Sequence, residues 1–142
     1  MSDVVLLGAV VVATAILAWW WRRRQGSVRA GRDGERLSAP DLAALGAPSD
    51  RVVLLEFTAP GCVACRATRS VLDDAAAERD DVQVVVAQVG HHLDLVRAHG
   101  ILRAPTTLVI DRDGTVRHRI TGVPDRARLA ALLDPSRGDR AA

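Results

Sequence analysis

The chain has 142 residues, 49% hydrophobic and 25% charged, which fits one globular domain with a short appendage and excludes a disordered chain or a polytopic membrane protein. The formal net charge of +2 is unevenly spread: residues 22–40 carry six Arg against two acids, whereas residues 41–142 carry 13 Arg against 14 acids. The body thus has no basic patch of the kind nucleic acid requires, and with Phe57 its only aromatic outside Trp19, Trp20 and Trp21 it lacks side chains for stacking on bases.

Val4 to Trp21 is an uncharged run of 18 residues. As a helix it would extend about 27 Å, close to the ~30 Å hydrocarbon core of a bilayer. Trp19, Trp20 and Trp21 stand where an interfacial aromatic belt would, and Arg22, Arg23 and Arg24 follow at once, placed to snorkel to headgroups. Residues 1–21 are therefore expected to form an uncleaved single-pass anchor in the cell membrane. A cleaved signal peptide is the competing reading, but it calls for a positive start, a shorter apolar core and small residues at the cleavage point. A buried helix is a third. No Arg or Lys precedes the run, whereas Arg22, Arg23, Arg24, Arg29, Arg32 and Arg36 follow it. That bias puts the C-terminal body on the cytoplasmic side.

Residues 22–36, rich in Gly and Arg and without periodicity, are read as a flexible juxtamembrane linker. Leu37 to Leu45 is expected to be a short helix, with Ser38 as cap and Pro40 in the first turn. Val52 to Phe57 is an almost wholly apolar run, as in a strand buried on both faces. From Cys62 to about Arg79 a helix is expected, with Val63, Ala67, Val71 and Ala75 marking one face. Val82 to Val89 is a second β-rich run. Leu93 to His99 looks helical and stops at Gly100. Thr107 to Asp111 and Thr115 to Ile120 are joined by Arg112-Asp113-Gly114, a hairpin signal. Asp125 to Leu133 is a last helix, and residues 134–142 a polar tail. The order gives a βαβ unit followed by an antiparallel hairpin, hence an α/β fold with a mixed sheet of four to five strands.

The only cysteines are Cys62 and Cys65, in a C-x-x-C placed after a buried strand at the opening of a helix. That context reads as a redox site. Unpaired N–H groups and the positive end of the helix dipole favour thiolate at Cys62, and Cys65 lies one turn on. A zinc half-site would need two more ligands, and His91, His92, His99 and His118 do not offer the usual spacing. A purely structural disulfide, or two unrelated buried thiols, would also use such a pair. Neither metal nor cofactor is expected.

Residues Glu56-Phe57-Thr58-Ala59-Pro60-Gly61-Cys62-Val63-Ala64-Cys65 resemble the active-site region of the thioredoxin family. Ala104-Pro105-Thr106-Thr107 resembles that family's cis-proline loop, and Gly122 a family glycine beside the site. The resemblance spans roughly residues 37–133 and implies a three-layer α/β/α fold. It further implies that Cys62 attacks, that Cys65 resolves, and that Cys62 and Cys65 form the redox disulfide. Pro105 would be cis, and Gly61, Ala104, Pro105 and Gly122 would border the substrate. Glu56 falls where the family carries a buried acid that moves a proton for the second cysteine. An isolated carboxylate in that apolar strand would otherwise be costly. Departures are Gly61 where the family has Trp, Val63-Ala64 where it has Gly-Pro, and Val86 at the position of a lysine near the acid.

His91, His92 and Asp94 are read as a solvated face. Arg66 and Arg69 flank the cysteines and are read either as favouring thiolate or acidic partners or as a solvated face. Together with the anchor read from residues 1–21, the resemblance implies a membrane-anchored thiol–disulfide oxidoreductase that reduces protein disulfides. Its expected partners are disulfide-containing proteins, an electron donor such as a thioredoxin-reductase-like protein, and the membrane through the N-terminal helix, but not nucleic acid. Two competing functions are an outward-facing envelope enzyme, serving cytochrome c maturation or disulfide handling, and a redox-inactive binding module.

Overall fold

A computed structural model describes residues 2–24 and 26–134, with the side chains of 2–4 and 21–24 excepted. The side chains of the Arg22–Arg24 cluster, and the tail from residue 135, lie outside the described residues. The apolar run is helical as α1 (Ser2–Arg24), and Val5, Leu6, Leu7, Ile16 and Leu17 are exposed along it. Among the described residues, however, no helix is long and apolar enough to cross a membrane. The expected single-pass anchor is corrected accordingly, and so is the cytoplasmic-side placement that depended on it.

The body is a five-stranded sheet in the order β1-β5-β4-β2-β3. Its strands are β1 (Ser27–Ala30), β2 (Val52–Thr58), β3 (Val82–Gln88), β4 (Thr106–Ile110) and β5 (Val116–Thr121). The helices of the body are α2 (Ala39–Ala44), α3 (Val63–Ala77), α4 (Leu93–Ala98) and α5 (Arg126–Leu133). β2 runs parallel to β3 and antiparallel to β4, and β4 and β5 form the expected hairpin. Ser38 caps α2 by accepting from the Asp41 N–H, with proline in the first turn. Asp125 caps α5 by accepting from the Arg128 N–H.

Alternation along β2 divides the interior into two layers. Val53, Leu55 and Phe57 join Leu37, Ile101, Leu108 and Ile110, with Leu42 of α2 and Leu95 of α4 packed against them. On the opposite face Leu54 joins Val109, Ile120, Leu72 of α3, and Leu129 and Leu133 of α5. Helices thus cover both faces, giving the three layers expected.

Two expectations need correction. Residues 22–36 are not a structureless linker, because β1 pairs antiparallel with β5 from Ser27↔Thr121 to Ala30↔His118, and Arg36 bridges to Thr115. Gly31 permits this approach: a Cβ there would lie 1.8 Å from the Val116 carbonyl oxygen. The inner face of α3 is also not the one marked by Val63 and Ala67. Val63 is 68% exposed, and the buried residues are Cys65, Thr68 and Leu72.

A buried polar cluster anchors the segment after β1. Glu35 accepts from Arg119 at 2.7 Å and pairs with His99 Nδ1 at 2.8 Å, while Arg119 also donates to the His99 carbonyl at 2.7 Å. Burial pushes the Glu35 carboxyl up. The hydrogen bonds from His99 and the Arg32 N–H, with the charges of Arg119 and His99, outweigh it and hold the carboxyl below its usual range.

Candidate active site

β2 ends at Thr58, and the chain turns through Ala59-Pro60-Gly61 into α3. Gly61 sits at φ +71 in open space, with nothing within 4 Å of a Cβ built there. Backbone conformation, not crowding, selects glycine at this position. The family's Trp would be strained here, so the departure noted in the sequence belongs to the shape of this turn. The Cys62 N–H donates to the Ala59 carbonyl at 3.3 Å, which closes the turn.

Cys62 is the N-cap of α3, with φ −78 and ψ 104, and its Sγ accepts from the Cys65 N–H at 3.1 Å. The capping group is thus a sulfur, supported by the positive end of a helix of 15 residues. Cys62 and Cys65 are joined as a disulfide with Cα atoms 5.3 Å apart. Cys62 is half-buried and Cys65 only 4% exposed. The outer sulfur can therefore meet a partner disulfide, while the inner one is reached through it.

The Ala104–Pro105 peptide is cis. The Phe57↔Thr106 pairing sets the residue after Pro105 beside the end of β2. The Gly122 N–H donates to the Pro105 carbonyl at 2.9 Å, and Gly122 itself has φ +83. Sheet register thus brings Pro105 and Gly122 together at the end of the sheet from which α3 departs.

Glu56 lies beneath this surface, 1% exposed. Burial raises its carboxyl to about 7, against the lowering charge of Arg69 and with a further raising contribution from Asp73. Its partner on β3 is Val86, so the position read as matching a family lysine is next to the acid and bears no charge. A cavity of about 260 Å³ connects Glu56 with Cys62, Cys65, Arg66, Arg69 and Val86. Arg66 is exposed, and Arg69 pairs with Asp73 at 2.9 Å. His91 and Asp94 are exposed and His92 half-buried, and none of them lines that cavity.

Two buried residues of this layer escape sequence reading. Thr68 and Thr107 are each 0% exposed. The only signal for them is a hydroxyl inside an otherwise apolar helix face or strand, and it acquires meaning only when the register places Thr107 opposite Glu56.

The family described as thioredoxin-like domain matches residues 39–136. Thioredoxin 1 of Synechococcus elongatus is 34% identical over 83 residues, covering 58% of this chain and 77% of the cyanobacterial one. Thioredoxin of Bacillus subtilis is 28% identical over 99 residues, 69% of this chain and 94% of its own. Among solved structures, a mutant thioredoxin from Halobacterium salinarum superposes with a TM-score of 0.56 at 27% identity, covering 69% of this chain and 84% of that one. Chloroplastic thioredoxin z gives 0.55 at 27% identity, with 69% and 88% covered.

Proposed function

The chain belongs to the thioredoxin family and is a thiol–disulfide oxidoreductase, and from that premise we propose that it works as a reductant of protein disulfides through Cys62 and Cys65. The observation that carries this reading is the setting of Cys62. Its sulfur caps α3 and accepts a backbone N–H, and the residue is half-buried, whereas Cys65 is buried.

In the dithiol form the Cys62 thiolate attacks one sulfur of the substrate disulfide. One substrate sulfur leaves as thiolate, and a mixed disulfide joins Cys62 to the other. Cys65 then gives up its proton and attacks Cys62 Sγ, which releases the second substrate thiolate and forms the Cys62–Cys65 disulfide. Two electrons pass from the cysteine pair to the substrate. A dithiol donor, such as a thioredoxin-reductase-like protein, returns them.

The helix terminus serves the first step, since dipole and N–H groups stabilise thiolate at the N-cap. Glu56 serves the second. It is buried in the same cavity as Cys65, and with its carboxyl raised to about 7 it can accept a proton near neutrality. Gly61, Ala104, Pro105 and Gly122 border the extended substrate segment next to the disulfide.

Reduction of insulin by the full chain in the presence of a dithiol donor tests the reading. Cys62→Ser should abolish turnover, and Cys65→Ser should trap the mixed disulfide as a stable adduct. Full activity in Cys62→Ser would overturn the mechanism.

A further inference from the structure

The carboxyl of Glu56 has to be held in a buried, mostly apolar layer, and the groups placed to hold it are two threonines. Three buried side-chain oxygens have no hydrogen-bond partner among the described residues: Glu56 Oε1, Thr68 Oγ1 and Thr107 Oγ1. Leaving one such atom unsatisfied costs about 1–3 kcal/mol, and folded interiors seldom contain several.

These three atoms belong to one layer. Glu56 and Thr107 are direct partners across β2 and β4. Opposed residues on one sheet face have Cβ atoms about 4.5–5.5 Å apart. The face is the one α3 covers, because Leu54 and Val109, two positions away on each strand, pack with Leu72 of α3. Thr68 is on the buried side of that helix, between Cys65 and Leu72. It lies one helical turn from Cys65 and about one turn from Leu72. A buried water typically makes about three hydrogen bonds to groups otherwise unsatisfied, which matches three oxygens from three elements.

We propose that Thr68 and Thr107 are positioning residues for Glu56, their hydroxyls joined to its carboxyl through one shared internal water. They hold the acid under Cys65 in a chain whose neighbouring strand presents Val86 instead of a cation. The inference rests on the reading of Glu56 as proton acceptor.

The charged groups facing Glu56 come from α3: Arg69 and Asp73, with Arg66 and Cys65 on the same cavity. β4 contributes Thr107 and β3 contributes Val86, neither of which ionises. Donation from a hydroxyl or water favours the charged carboxylate, so removing a donor moves the Glu56 midpoint upward.

The test is a titration of the Glu56 side-chain carboxyl by carbon-13 NMR in the full chain, kept oxidised so that neither cysteine titrates. Thr107→Val and Thr68→Val, close in shape to the native residue, should each raise the midpoint by about one pH unit, a tenfold drop in the ionisation constant. Thr107→Ser and Thr68→Ser keep the hydroxyl and should leave it in place. Unmoved midpoints in the Val variants, or Ser variants that shift as far as Val, would overturn the proposal. Should a Val variant fail to fold, the native protein still decides. Long-lived water cross-peaks to Thr68 and Thr107 are expected, and their absence counts against the shared water. Failure of the catalytic reading is separate, since it would show as Glu56→Gln with undiminished turnover whatever the threonine variants do to the midpoint.

Discussion

Replacing Glu56 by Gln should stabilise the oxidised protein at alkaline pH and do little for it in acid. The carboxyl stands at about 7 in the folded chain against 4.5 for the ordinary group. At ~1.4 kcal/mol per pH unit, that difference corresponds to roughly 3 kcal/mol. The sign follows from which state holds the proton more tightly. The folded state does, so the contribution is fully present below about 4.5, declines as pH rises, and is gone once pH passes the folded value near 7. Above that pH the wild type carries a buried charge that Arg69 only partly offsets. Gln is neutral throughout, and the cost of its buried amide does not depend on pH in this range. Urea unfolding of both proteins from pH 4.5 to 8.5, with the disulfide intact, measures the difference. Every other titrating group is common to the two and cancels. The stability of Glu56→Gln relative to wild type should climb by roughly 3 kcal/mol across the window. A difference independent of pH would refute the assignment of the raised carboxyl.

Glu35→Gln should cost about 3 kcal/mol, because it leaves the largely buried Arg119 guanidinium without its carboxylate; urea midpoints at neutral pH read this directly. The Glu35 carboxyl is held low by its partners, so its contribution is present above the ordinary value of 4.5 and lost as pH falls through the folded value. The gap between wild type and variant should therefore narrow in acid. Gly31→Ala should lower the thermal midpoint and detach β1, since the added methyl meets the Val116 carbonyl oxygen. A cost of about 1–3 kcal/mol is expected, and faster amide exchange at Val28 and Ile120 would localise it.

The strands were legible in the sequence where apolar residues run together. VVLLEF and its parallel neighbour announce themselves by apolar content, and Asp113-Gly114 announces the hairpin. Ser38, Asp125 and Cys62 stand at the helix starts their side chains cap. β1 was not legible, because its four half-buried or exposed residues carry no alternation and its partner lies some ninety positions away. The face of α3 was misjudged for a geometric reason. A strict four-residue spacing drifts by about 40° per step on a helix of 3.6 residues per turn, so Val63 and Val71 do not share one side. The side that is buried carries a cysteine and a threonine, which a search for apolar residues passes over. The Glu35, His99 and Arg119 cluster joins charges from three distant segments, and local pattern holds no trace of it. At the site, the cysteine pair, Glu56 and Pro105 were read from spacing and resemblance, whereas Thr68 and Thr107 emerged only from the register.

Pairing of β1 with β5 closes one side of the sheet and leaves β3 outermost on the other. The sequence of that rim, VQVVVAQ, has no charge and no proline, two of the devices that usually keep one sheet from adding to the next. Asp80 and Asp81 guard one end, and the 3₁₀ turn at Val89–His91 finishes the other. Val86, on this rim, also lines the cavity of the cysteine pair. The unguarded edge of the sheet and its chemistry therefore share a border, and a charge introduced to protect that edge is better placed at Gln83 than at Val86, beside Glu56.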